Sequence, residues 1–260
     1  MVWVNLEVSQ ETINLSGAFM RTYNAVIVLA DISGYTKFIV MHRSSIVHAE
    51  QIITELMEIV TRNAAFPLTI QKLEGDAAFM SAEIDGPSKD AVNDITEQAA
   101  KFMDLYRLKQ KELFAKSVGG CPCTACQSIE NLKLKCVVHT GEVLEKEVGG
   151  RVELAGEAVI VAHRLMKNSV QSDEYILVTD AVAQELDADP YPTSKVYQET
   201  IKDVGTFGTK AFFPEAMVLD RNGAKPLTRP RGNLEAMRLF IHGMIARFGR
   251  SRRAFRNLPS

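Results

Sequence analysis

Residues 68–84, LTIQKLEGDAAFMSAEI, are two strand-like runs split at Glu74-Gly75-Asp76, a hairpin signal. Helical stretches flank this hairpin on both sides. Before it, Phe38, Ile39, Ile46, Ile52, Ile53, Leu56, Ile59 and Val60 recur at roughly helical spacing up to Asn63, and Pro67 ends the region. After it, Ala91, Val92, Ile95, Ala99, Phe102, Met103 and Tyr106 mark a long helix that starts at Ser88, an N-cap residue, and runs to about Lys116. An apolar run, AVIVLAD (25–31), precedes the first helix, and the alternating LKLKCVVHTGEV (132–143) follows the second. Two helices around a central hairpin, with a strand at each end, predict a ferredoxin-like βαββαβ sheet of the α+β class.

Beyond that unit, GEAVIVAHRLMKNS (156–169) reads as a helix after the turn at Gly149-Gly150, and YILVTD (175–180) as a strand feeding a short helix. AFFPEAMVLD (211–220) reads as the last strand. The expected order is β-α-β-β-α-β-α-β-α-β, with no internal repeat. GGCPCTACQS (119–128) reads as a loop ahead of the fourth strand. RNGAKPLTRPRGN (221–233) has linker composition, and 234–248 has the periodicity of an amphipathic helix.

At 260 residues, 46% hydrophobic and 24% charged, the chain is long enough for one large domain with a sizeable core. Net charge is −2, but residues 231–260 hold seven Arg and one Glu, so a basic tail follows an acidic body. The start, MVWVNLEVSQETINLSG, lacks the basic opening and apolar centre of a signal peptide, and no run of 18 apolar residues suggests a membrane span. Three of the four Cys crowd into Cys121, Cys123 and Cys126 rather than forming a dispersed disulfide framework. A cytoplasmic location is the expectation.

Two acids carry the chemistry. Asp31 closes the first strand and Asp76 sits at the hairpin tip. In a ferredoxin-like sheet these strands are neighbours, so both carboxylates can reach one point. Hard oxygen ligands of that kind suit Mg²⁺ or Mn²⁺, with water and phosphate oxygens completing the shell. Each Asp alone is also a standard turn residue; as a pair after apolar strands they favour a site. Gly34-Tyr35-Thr36 follows as a tight turn into a helix, where outward-facing N–H groups can cradle phosphate, although such a turn is also a common cap.

Four segments in order resemble class III adenylate and guanylate cyclases. ADISGYTKF is similar to the opening motif of that family, and IQKLEGDAAFM to its hairpin with Gly75-Asp76 at the tip. LKCVVHTGEV is similar to its next core strand, and VELAGEAVIVAHRL to its Gly-x-x-Val-x-x-Ala-x-Arg helix. The CPCTAC insertion resembles that of an uncharacterised bacterial branch of cyclase-like proteins. The resemblance implies residues 24–220 as a cyclase-like domain with an insertion at 119–128, 1–23 as an N-terminal extension, and 221–260 as a linker and basic helical tail.

It also implies roles. Asp31 and Asp76 match the metal-binding acids and Ile32 the residue lending a backbone carbonyl. Lys72 falls at the base-reading position, where Lys accompanies adenine selectivity, and Glu153 where its partner sits. A Lys72–Glu153 pair would donate from the ammonium and accept from an exocyclic amine. Arg164 matches the arginine that stabilises transition-state charge, and Lys210 the triphosphate-binding lysine. The implied activity is conversion of a nucleoside triphosphate, ATP favoured, to a 3′,5′-cyclic nucleotide and pyrophosphate, at a site built by a homodimer. One subunit would supply Asp31 and Asp76, and the other Lys72, Glu153 and Arg164. One position departs from the pattern: Ile160 stands where the family has an Asn, four residues before Arg164. Losing one preorganised donor typically costs about 10²–10³ in turnover. The alternative is therefore a catalytically degenerate module that binds nucleotide or a signalling partner. His163, about 100° from the Arg164 face, reads as a surface or packed histidine.

The three clustered thiols can wrap Zn²⁺, with Cys136 or His139 as a fourth ligand; reduced thiols and a redox pair stay open beside that reading. Cys136 shares its strand face with Leu132 and Leu134 and reads as a plain core thiol. In the tail, Leu234, Met237, Phe240, Ile241, Met244, Ile245 and Phe248 lie on one helical face, followed by Arg247, Arg250, Arg252, Arg253 and Arg256. Docking on the body or a dimer partner and peripheral attachment to an anionic membrane both fit. Few aromatics stand beside the arginines, so nucleic acid is not expected as a partner.

Overall fold

The computed structural model describes residues 20–42, 45–84, 89–117, 123–217 and 219. The N-terminal extension up to residue 19, the Ser88 cap, Cys121, and the linker and tail beyond 219 lie outside the described residues. The chain divides into two compact units. Residues 20–33, Met57–Tyr106 and Lys133–Ala216 form the first; Gly34–Leu56 and Arg107–Leu132 form the second. Two helices, α2 (Ile46–Asn63) and α3 (Lys89–Ser117), contribute a stretch to each.

The first unit is built on one mixed sheet. Its strands are β1 (Met20–Ser33), β2 (Thr69–Glu74), β3 (Ala77–Ile84), β4 (Lys133–Val148), β5 (Arg151–Ala155), β6 (Tyr175–Thr179), β7 (Thr193–Ile201) and β8 (Gly205–Phe213). They run in the order β2-β3-β1-β4-β6-β8-β7, with β5 paired to β4. The segment β2-β3-β1-β4 is antiparallel throughout and is the expected ferredoxin-like arrangement; β4 and β6 are parallel. The fold is α+β, with an open sheet.

β1 is central because its apolar run has no polar face. Ala25 to Ala30 are all buried, with Ala25, Ile27 and Leu29 on one side and Val26, Val28 and Ala30 on the other. The first side packs with Ala158, Val161, Ala162 and Leu165 of α5 (Glu157–Leu165). Among the described residues β1 reaches back to Met20, five residues before the apolar run, and there Arg21 is held by Glu83 of β3 and Glu145 of β4 at 2.9 and 3.2 Å. Tyr23 lies under the Arg21 guanidinium, 4.5 Å from carbon to ring centre.

Several expectations need correction. The last strand is not 211–220. β8 starts at Gly205 and stops at Phe213, because Pro214 cannot donate to a ladder. β7 was not expected at all: TSKVYQETI has only Val196, Tyr197 and Ile201 as large apolar residues, and it is an edge strand whose backbone pairs while most of its side chains face water. β5 extends the turn at Gly149-Gly150 into a hairpin. The helix expected over 156–169 ends at Leu165, with Asn168 turned back to bond the Leu165 carbonyl and the Tyr175 hydroxyl.

In the second unit, α1 (Tyr35–Met41) precedes the first turns of α2, so the expected single helical region is two helices. The end of α3 carries Lys109, which pairs with Glu55 at 3.0 Å, and Gln110, whose amide donates to the carbonyls of Ile129 and Leu132 at 2.8 and 2.5 Å. The segment ahead of β4 is not all loop: among its described residues, Thr124–Gln127 forms the short helix α4, followed by a 3-10 turn over Ile129–Asn131. Its apolar residues Ala125, Cys126, Ile129 and Leu132 are buried, which is why it folds rather than trailing in solvent. No described helix is long and apolar enough to cross a membrane.

Candidate active site

Pairing of β1 with β3 sets Asp31 opposite Ala77, so Asp76 at the hairpin tip lies beside Ile32. The Ile32 amide donates to the Asp76 carbonyl at 3.0 Å. Gly75 reaches the turn at φ 66°, where a residue without Cβ is least strained. The two half-buried acids therefore meet as expected. Burial, and next the charge of Asp31, push the Asp76 carboxyl up to about 6. Lys135, opposite Asp31 on β4, places its Nζ 3.1 Å from Asp31 Oδ2. This lysine escaped the sequence reading. The alternation of LKLKC carried the signal, since Lys133 and Lys135 must lie on the face opposite Leu134 and Cys136.

Gly34, Tyr35 and Thr36 open α1, with Gly34 as N-cap at φ 87°. The Tyr35 hydroxyl donates to Glu50 Oε1 at 3.3 Å, and Thr36 is exposed.

The expected Lys72–Glu153 pair is not present. Lys72 Nζ is 2.8 Å from Glu74 Oε1, two residues along the same strand face, while Glu153 acts on it only at longer range. β2 is an exposed edge strand, so the nearest carboxylate wins. Glu153 is exposed on β5, opposite Lys146. Lys210 is engaged as well: its Nζ is 2.7 Å from both Asp189 oxygens and sits 4.9 Å over the Phe212 ring.

On α5, Ala158, Val161, Ala162 and Leu165 face the core, leaving Ile160 and Arg164 together on the outer side. Ile160 is 49% exposed. His163 is exposed too, its ring edge-on to Phe79 at 5.2 Å.

Neither fourth zinc ligand considered for the Cys loop serves. Cys136 is wholly buried in β4, its thiol pushed up to about 12 by burial, as the core reading expects. His139 is buried and shares a 2.9 Å hydrogen bond with the Thr179 hydroxyl. The histidine that meets Cys123 and Cys126 is His48 of α2, whose ligand atom lies with theirs inside 4.8 Å. Spacing gave no hint of it, because it stands 75 residues before Cys123.

A family model described as a protein of unknown function (DUF2652) matches residues 53–175. The uncharacterized protein Rv2561/Rv2562 of Mycobacterium tuberculosis is 38% identical over 133 residues, 51% of this chain. The match covers 59% of that relative. Among solved structures, the guanylyl cyclase Cya2 aligns over 76% of this chain and 97% of its own, with TM-score 0.52 and 15% identity. The adenylyl cyclase CyaB from P. aeruginosa aligns over 77% and 98%, with TM-score 0.53 and 13% identity. A class III adenylyl cyclase-like ATP-binding protein from Pseudomonas aeruginosa aligns over 70% of this chain and 38% of its own, with TM-score 0.50 and 18% identity. The fold is thus that of class III nucleotide cyclase domains. At these identities the likeness defines the fold and leaves the chemistry to the site.

Proposed function

We propose that this chain is a class III-type nucleotidyl cyclase of low turnover, acting on a nucleoside triphosphate with ATP favoured. The observation that carries the reading is the meeting of Asp31 and Asp76 at the paired ends of β1 and β3. A divalent ion fits this donor set: of two half-buried carboxylates Asp31 is paired with Lys135, while burial, and next the charge of Asp31, weigh on Asp76. Asp31, Asp76 and the Ile32 carbonyl would hold Mg²⁺ or Mn²⁺, which when bound supplies Lewis-acid charge for phosphate oxygens and a ribose hydroxyl.

In the reaction, the ribose 3′-oxygen attacks the α-phosphorus and gives up its proton. The bond to the bridging oxygen breaks, and pyrophosphate leaves. Arg164, exposed on α5, is assigned to the charge that develops on the phosphate. Lys72 is assigned to the base and must leave Glu74 to reach it; Glu153 is its second partner. The resemblance assigns the amides of Gly34, Tyr35 and Thr36 to phosphate oxygens. Lys210 would bind the triphosphate in competition with Asp189.

The complete site requires a homodimer in this reading. Leu73, Val148 and Val152 are about half exposed, which supports a covered surface in the assembly. Measuring cyclic nucleotide formation from all four triphosphates with Mn²⁺ tests the proposal; no product from any of them would overturn it.

A second reading has its own observation. Ile160 is exposed beside Arg164, where it offers no hydrogen bond, so the same fold could bind metal and nucleotide without turnover. The similarity to a cyclase-like ATP-binding protein supports it. Tight metal-dependent ATP binding without product would select this reading.

A further inference from the structure

We propose that His48, Cys123 and Cys126 form a zinc site that staples the inserted segment to helix α2. The proposal does not depend on the nucleotide reading. Cys123 Sγ lies 3.3 Å from His48 Nδ1, and Cys126 Sγ lies 3.6 Å from His48 Nε2. The three ligand atoms all fall within 4.8 Å of one another. With Zn–S of about 2.3 Å and Zn–N of about 2.0 Å, tetrahedral ligand atoms stand about 3.5–3.8 Å apart, so small side-chain adjustments suffice. One ring nitrogen ligates, two thiolates follow, and one tetrahedral position is left for a fourth donor.

The local chemistry favours a soft cation. Cys123 caps α4, and its sulfur accepts the Cys126 amide at 3.5 Å. Two thiolates and an imidazole select Zn²⁺ over the hard Mg²⁺ or Mn²⁺ suited to Asp31 and Asp76. None of Cys123, Cys126 and Cys136 is in a disulfide.

The placement also gives the ion a task. Gln110 fixes the far end of the inserted segment through the Ile129 and Leu132 carbonyls. The near end, at Cys123 and Cys126, meets α2 through His48. A structural ion there turns a short segment with a small core into a held element, and its binding energy becomes folding energy.

The test uses the full chain purified without added metal. Elemental analysis is expected to give about one zinc per chain. After chelation, titration with Co²⁺ alone should produce thiolate-to-cobalt charge-transfer absorption that saturates at one equivalent. His48→Ala and Cys126→Ser should each weaken Co²⁺ binding by at least about tenfold. His48→Cys should keep the metal, which separates loss of a ligand from loss of fold. Circular dichroism of each variant provides a second check on folding. Metal-free protein with no cobalt band overturns the proposal, whether Cys123 and Cys126 are then reduced or joined as a redox disulfide. Full zinc content in a folded His48→Ala protein overturns it equally.

Discussion

The Ile32 amide donates to the Asp76 carbonyl over 3.0 Å, so the backbone itself fastens the hairpin tip to the end of β1. The carboxylates of Asp31 and Asp76 come together as a consequence of strand register. Asp31→Ala and Asp76→Ala are each expected to abolish Mn²⁺-dependent triphosphate binding, because either leaves too few hard ligands. Calorimetry with and without Mn²⁺ checks this. Unchanged metal-dependent affinity in both variants would remove the site while leaving the fold intact.

That pair was legible in the sequence because both residues sit at the ends of strong signals. AVIVLA is buried on both faces, and Glu74-Gly75-Asp76 breaks two strand-like runs. The four-stranded core follows from the same signals. What escaped was written in weaker terms. β5 and β7 are strands with mostly exposed side chains, so backbone pairing decides them more than side-chain burial does. The Lys72–Glu74 pair replaced Lys72–Glu153 because exposed lysines take the nearest acid, which no motif encodes. His48 became visible only when folding brought α2 to the cysteines.

Base choice should follow Lys72. ATP is expected to be preferred over GTP, and Lys72→Glu to narrow or reverse that preference. Initial rates, or metal-dependent affinities if turnover is absent, measure the ratio. The bond to Glu74 is exposed, so the substitution should leave thermal stability almost unchanged. A preference of the unmodified protein for GTP, CTP or UTP would end the adenine assignment.

Acid should weaken the fold through His139. Burial holds this imidazole at about 4, below the ordinary 6.5. Above pH 6.5 both folded and unfolded chains carry it neutral. As pH falls from 6.5 towards 4, the unfolded chain takes up the proton and the folded chain does not. Stability is therefore lost across that window, by about 3 kcal/mol in all. Denaturant unfolding at several pH values should show a shallower loss in His139→Gln than in the unmodified protein. Parallel pH profiles would mean that other groups carry the acid sensitivity.

Gly34 and Gly75 both sit at positive φ, 87° and 66°, but their surroundings differ. A Cβ on Gly34 would lie 2.8 Å from the Asn131 carbonyl oxygen, whereas one on Gly75 meets nothing within 4 Å. Gly75→Ala should cost only the backbone term, about 1–2 kcal/mol. Gly34→Ala should cost that and the contact, so its thermal midpoint should fall further, by at least about 2–4 °C. Equal midpoints would show that the Asn131 carbonyl moves aside freely.

Ile160 decides between slow enzyme and binding module, and its exposure now separates two effects that substitution would otherwise mix. Were it core, Asn would leave an unpaired amide at about 1–3 kcal/mol. At 49% exposed, on the outer side of α5 with Arg164, it faces no such cost. An Asn there can reach toward the same reacting region as Arg164, since residues four apart share a helix face. Such a donor acts chiefly in the transition state, so it should raise turnover more than affinity. Ile160→Asn is thus expected to raise the rate about tenfold or more at near-constant thermal midpoint. Initial rates and thermal unfolding on the same preparation check it. No gain in rate at unchanged stability would mean that a missing Asn is not what limits turnover. Fast turnover by the unmodified protein would show that Ile160 does not cripple the site.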